Sequence, residues 1–215
     1  MLENKKILVA AGAAVLFVIY AALSAVVVPQ GQEAALTGEV VFDPTSEATR
    51  FWNENADQYF SREAVELTRL VSEAGGDLES LAQKYGHFSM GDSGELSFIV
   101  KGSGTVTEVK NKLKAGYLAL SVPGLPDGYN VRLQIGPVFK GSAIRDSISL
   151  ISFKDYKNQI EWAQVSVAFH DLIVRDVLSQ IDMNGVEGKN VSFTGAFTIA
   201  RAGLLQIVPV ELRVN

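Results

Sequence analysis

Residues 7–28 read ILVAAGAAVLFVIYAALSAVVV, a run without a charged residue or a proline. As a helix rising 1.5 Å per residue it spans about 33 Å, enough for a hydrocarbon core of roughly 30 Å. A helix packed against a small globular core keeps a polar face toward solvent, and this run offers none. Lys5 and Lys6 precede it, and the next Lys or Arg is Arg50. That asymmetry puts residues 1–6 in the cytoplasm and everything beyond residue 28 outside. A cleaved signal peptide is the competing expectation. However, the run exceeds the usual apolar stretch of roughly 7–15 residues, and the best small-x-small site, Ala22-Leu23-Ser24, is followed by more apolar residues. The sequence therefore predicts a single-pass signal anchor over 7–28, a spacer over 29–37 and an extracytoplasmic domain over 38–215. It contains no cysteine, so neither a disulfide nor a thioether lipid has an attachment point among these residues.

With Glu3, Lys5 and Lys6 set aside, the rest of the chain has a net charge of −6. An acidic domain lacks the cationic surface that nucleic-acid binding requires, so no nucleic-acid partner is expected. Two patterns divide the domain. Over 43–86 the apolar spacing is helical: Asp43-Pro44 opens a helix, Ala48, Phe51, Trp52, Ala56 and Tyr59 share a face, and Ser61 marks a fresh N-cap or kink. Leu67, Leu70, Val71 and Ala74 form a second stretch ended by Gly75-Gly76. Asp77 caps a third over 78–85, with Gly86 as its left-handed terminal residue.

From residue 95 the period becomes 2. Strands are expected over 96–101 and 105–110, joined by a hairpin at Gly102-Ser103-Gly104, and over 117–122, 129–135, 144–151, 190–200 and 205–214. In 129–135, Val131, Leu133 and Ile135 face one way, Arg132 and Gln134 the other. A capping box, Ser152 to Asp155, opens a long helix to about residue 181 that is buried on most of its circumference. The class is α+β, mainly β. A small OB-like barrel wrapped by the long helix fits this order, and a flat sheet covered on one face by helices fits nearly as well.

Signals for catalysis are weak. His87 and His170 lie on different elements, and His170 reads as a core histidine. No metal-ligand spacing occurs, and Gly102-Ser103-Gly104 lacks the Lys-Ser/Thr pair of a phosphate loop. No enzyme, metal or cofactor is expected; a hydrolase is the remote alternative. The unusual segment is 135–163, with Gly136, Pro137, Gly141, the adjacent Arg145 and Asp146, and Asn158-Gln159 at a helix start. On a strand, Arg145 and Asp146 point to opposite faces. Arg145, Asp146, Asn158 and Gln159 are thus candidates either for a buried network pinning helix to sheet or for a polar ligand pocket.

The run IGPVFKGSAIRDSISLISFKDYKNQIEWAQVS resembles the signature of a bacterial family of predicted periplasmic lipoproteins, domain of unknown function 2291. There a Gly-Pro…Gly-Thr/Ser-x-x-Arg-Asp segment leads into Phe-x-Asp-Phe/Tyr-x-Asn-Gln and a long helix. Phe42-Asp43, Trp52, Tyr85-Gly86, Gly102-x-Gly104-x-Val106, Gly195-x-Phe197 and Ile207-Val208-Pro209-Val210 extend the resemblance over 38–212. It implies an OB-like fold with extra helices, a bacterial extracytoplasmic location, and genes beside ribose-type sugar ABC importers. It implies no catalytic residue. The missing lipobox cysteine is a departure, and the helix over 7–28 then serves as the inner-membrane anchor. The expected function is a membrane-tethered accessory protein of a carbohydrate ABC uptake system, contacting the permease or its substrate-binding protein. The alternative is a sugar-binding sensor with its pocket around Arg145 and Asn158.

Overall fold

The computed structural model describes residues 14–21, 24 and 42–215. The chain divides into two compact units, Met1–Phe42 and Asp43–Asn215. In the first, residues 14–21 and 24 are helical and exposed. Among the described residues no helix is long and apolar enough to cross a membrane, and most of the 7–28 run lies outside them.

The second unit begins with helix α1, Pro44–Glu63. Asp43 caps it, accepting from the amides of Thr45 (3.0 Å) and Ser46 (3.2 Å), with Pro44 at the position where a missing N–H costs nothing. No break occurs at Ser61; the helix continues to Glu63 because Phe60 and Tyr59 both pack inward. A two-residue strand β1, Val65–Glu66, leads into helix α2, Leu67–Ala74, which buries Leu67, Leu70, Val71 and Ala74 and ends at left-handed Gly75. Asp77 caps a 3-10 turn, Leu78–Leu81, as expected. Gly86 is not left-handed, however. It is extended and starts strand β2, Gly86–Phe88.

The hairpin expected at residues 102–104 does not exist. Strand β3 runs unbroken over Leu96–Lys110. Its first part pairs antiparallel with strand β6, Asn190–Thr198, from Ser97↔Thr198 to Thr105↔Asn190. Its last part pairs with strand β4, Ala115–Ser121, from Thr105↔Ser121 to Lys110↔Tyr117. The glycines permit this bend: a Cβ on Gly104 would lie 2.6 Å from the Ser121 carbonyl oxygen. Strand β5, Asn130–Pro137, pairs antiparallel with β4 and parallel with strand β7, Leu204–Val214, which pairs antiparallel with β6. The cycle β3-β4-β5-β7-β6 closes through β3–β6 into a five-stranded barrel. The barrel, rather than the flat sheet, is therefore the architecture.

A bulge between Gly116 and Tyr117 pairs Tyr117 with Gln134 and Gly116 with Gly136, leaving Ile135 as the extra residue. It shifts the alternation, so Gln134 is 3% exposed instead of facing outward. The segment 144–151 is not a strand. It forms one turn of helix, α3 (Ala143–Asp146), followed by turns. Ile144 and Ile148, four residues apart, are both buried. Tyr59 of α1 supplies what a neighbouring strand would have. Its hydroxyl donates to the Ser147 carbonyl (2.9 Å) and accepts from the Ser149 amide (2.8 Å).

The capping box at Ser152 and Asp155 is real but closes only a 3-10 turn, Phe153–Asp155. The long helix, α4, is Gln159–Asp176. It ends short of residue 181 because Leu178–Gln180 tightens into another 3-10 turn. Its exposed side is not wholly polar: Ile160 is 71% and Val167 57% exposed. Its buried side meets α1 through Phe51 and Phe169, ring centroids 5.9 Å apart and edge to face. Inside the sheet Phe98 and Phe197, paired across β3 and β6, stack at 5.7 Å. Each such buried aromatic contributes roughly 1.5–3 kcal/mol.

At Gly195 a Cβ would collide with the Val208 carbonyl oxygen and lie 2.8 Å from Ile207 Cγ2. Gly195→Ala is expected to destabilise the fold by roughly 1–3 kcal/mol, whereas Gly185→Ala, with only Asp182 Oδ2 at 3.7 Å, leaves it nearly unchanged. Denaturant melts of the two variants check this, and equal midpoints would refute the close-approach account.

Candidate functional site

The loop from β5 to α3 carries the glycines and proline of the central motif. Gly136 and Pro137 end β5 and are joined by a cis peptide; Gly141 follows at positive φ. Buried Gln134 clamps this loop. Its Oε1 accepts from the Lys140 amide at 2.7 Å, and its Nε2 donates to the Lys140 carbonyl at 3.2 Å. These motif residues turn the chain from barrel to α3 and so place Arg145 and Asp146.

Because α3 is a helical turn, Arg145 and Asp146 do not diverge as they would on a strand. They pair with each other. The Arg145 Nε and Nη2 both donate to Asp146 Oδ1, at 2.8 and 2.6 Å, and Nη1 donates to the Trp162 carbonyl at 2.8 Å. The guanidinium carbon lies 4.1 Å from the Trp162 ring centroid, a cation–π contact. Both side chains are deeply buried, 8% and 1% exposed. Asp146 Oδ2 is buried yet has no hydrogen-bond partner among the described residues. Burial pushes the Asp146 carboxyl above its ordinary value, and the charge of Arg145 works against that rise.

Asn158 and Gln159 are not part of this arrangement. Both are exposed. Asn158 is the N-cap of α4, its Oδ1 accepting from the amides of Ile160 (2.8 Å) and Glu161 (3.0 Å). Its polarity serves helix initiation rather than a pocket.

Arg145 and Asp146 instead line a cleft of about 280 Å³ walled by the β2 turn, by residues 148–153 and by Trp162. His87, not among the candidates from sequence, lines the same cleft, and burial pushes its imidazole below the ordinary value. It reaches the cleft only because β2 pairs with β3, a long-range fact with no local signal. His170 does sit as a packed histidine. It stacks on Phe139 with centroids 4.7 Å apart, its Nε2 is buried without a partner among the described residues, and burial with the nearby Arg145 charge lowers its pKa from 6.5 to about 4.

Removing Arg145 would strand a buried carboxylate. Arg145→Ala is expected to cost roughly 3–5 kcal/mol, and Arg145→Lys also costs stability because an ammonium cannot reproduce the three-way guanidinium contact. Wild-type melting of both variants would show that the pair does not hold the fold.

His170 gives a pH dependence. Between pH 6.5 and about 4 the unfolded chain binds a proton that the folded chain refuses, so stability falls as pH is lowered through that window. His170→Leu should flatten the fall of Tm across those pH values; an unchanged slope would remove His170 as its source.

Two comparisons bear on this arrangement, and no curated protein matches the chain. A crystal structure described as an OB-fold protein from Thermotoga maritima MSB8 superposes with a TM-score of 0.63 at 19% identity, covering 81% of this chain and 99% of that one. At that identity the likeness shows the fold, which agrees with the five-stranded barrel. The family model described as predicted periplasmic lipoprotein, domain of unknown function 2291, matches residues 13–213, from the apolar run through the last strand. The chain belongs to this predicted periplasmic lipoprotein family.

Proposed function

We propose that the chain is a non-enzymatic accessory protein on the extracytoplasmic face of the bacterial inner membrane, held there by a single N-terminal anchor and working beside a carbohydrate ABC importer. The carrying observation is the helical segment at residues 14–21. From Val15 to Tyr20, six consecutive large apolar side chains are each 49–71% exposed, a surface that water penalises and a bilayer accommodates. The periplasmic family supports the compartment. With no cysteine among the 215 residues, an apolar helix rather than a lipid is the anchor this sequence supplies. The importer rests on the resemblance of the central motif.

Tethering suits weak contacts. The nine residues 29–37 reach at most about 30 Å, which confines the domain near a permease or docked binding protein and raises its effective concentration. Ile160 and Val167, two turns apart on α4, and the 66%-exposed Leu150 offer apolar area to such a partner. A second reading, a small-ligand sensor, is favoured by Asp146 Oδ2, which has no partner among the described residues, and by the cleft that Asp146 lines.

The anchored protein is expected in the membrane fraction after a high-salt wash. Labelled-sugar uptake should fall when residues 1–28 are replaced by a cleavable export signal at matched abundance. Soluble recovery of the intact chain would refute the anchor, and equal uptake from anchored and released forms would refute the tethered accessory role.

A further inference from the structure

The cleft beside α3 has a chemistry that restricts what can enter it. Asp146 Oδ1 takes two hydrogen bonds from Arg145 while Oδ2 takes none from the described residues, although the side chain is 1% exposed. A buried carboxylate oxygen left in that state carries a desolvation penalty that a hydrogen-bond donor would relieve. The donor arrives next to a guanidinium already 2.6 Å from the carboxylate. A second cation would meet that positive charge, and an anion would meet Asp146, so an uncharged donor suits the pair best.

The remaining walls fit the same class. Burial holds His87 toward its neutral form, in which the imidazole offers one donor and one acceptor. Phe153 and Trp162, 6.1 Å apart and edge to face, supply apolar surface; Ser149 and Ser152 also line the cleft, their hydroxyls engaged by Tyr59 and the Lys154 amide. At about 280 Å³ the space is just smaller than drug-sized ligand pockets, which run from roughly 300 to 1,000 Å³, and so suits a small molecule.

Resting on the sensor reading above, we infer that this cleft binds one small uncharged polyol, of monosaccharide or cyclitol size, with a ligand hydroxyl donating to Asp146 Oδ2. The β2 turn and the segment 148–153 close on it from two sides. Neither segment belongs to the barrel strands β3–β7, so occupancy is felt in these two stretches and not in the barrel.

The test is hydrogen–deuterium exchange on the full chain in detergent micelles, titrated separately with D-xylose, D-glucose, myo-inositol, tetramethylammonium and sulfate. The expected result is saturable protection of both 86–91 and 148–153 by at least one of the three polyols and by neither ion. Asp146→Asn places an amide against the ligand hydroxyl and should weaken the effect by roughly tenfold or more, the worth of a hydrogen bond to a charged group. If that variant fails to fold, His87→Trp, which fills the cleft from β2, should abolish the protection instead. The inference is overturned if no polyol protects either segment, if protection survives the folded variants, or if an ion protects in place of the polyols. Protection by an ion alone would sink the polyol and keep the sensor reading, protection by none of the five compounds would sink both, and membrane fractionation tests the anchor separately.

Discussion

Strand β3 is shared between two pairings that no straight strand could satisfy at once, and the rest of the domain depends on that sharing. Over Ser97–Thr105 it is the partner of β6, and over Thr105–Lys110 the partner of β4. Closing the cycle removes the exposed edges that an open sheet of these strands would present. The cost falls on a few positions where backbones come too close for any side chain, Gly104 against Ser121 and Gly195 against Val208. Barrel closure also fixes where β2 runs along β3, and hence where His87 faces α3.

Upon this frame the helices act as a clamp on one loop. Tyr59 of α1 holds the backbone of Ser147 and Ser149, and the carbonyl of Trp162 on α4 holds Arg145. Gln134 fixes the approach from β5. Arg145 and Asp146 are thus constrained from three directions, and their adjacency in sequence lets a single helical turn form the ion pair without help from a distant carboxylate. Each guanidinium nitrogen finds an acceptor, on Asp146 or on the Trp162 carbonyl, whereas Asp146 Oδ2 finds no donor among the described residues. A buried acceptor in that state is a net cost to the fold.

The family's central motif divides physically into parts with different duties. Gly136, Pro137 and Gly141 shape a connection, Asn158 starts a helix, Ser152 and Asp155 close a 3-10 turn, and Arg145 with Asp146 lines the cleft. Proximity in sequence made these residues look like one site, yet Asn158 and Gln159 face solvent.

The sequence by itself determined what short-range physics governs. The Asp43-Pro44 start of α1, the stop at Gly75, the capping box at Ser152 and the α+β class were legible because caps, glycines and periodicity act within a few residues. Helix, its 3-10 turns included, rather than strand, nonetheless makes up the larger share of the domain. Tertiary structure alone decided the rest. Gly102-Ser103-Gly104 has a turn's composition, but its neighbours on β6 and β4 keep it extended. Residues 144–151 have a strand's composition, but Tyr59 satisfies their backbone and leaves them as a helical turn and loop. The bulge at Ile135 turned Gln134 inward. Pairing between segments a hundred residues apart outweighs local propensity by the number of hydrogen bonds and buried side chains it secures, and no local window contains that information.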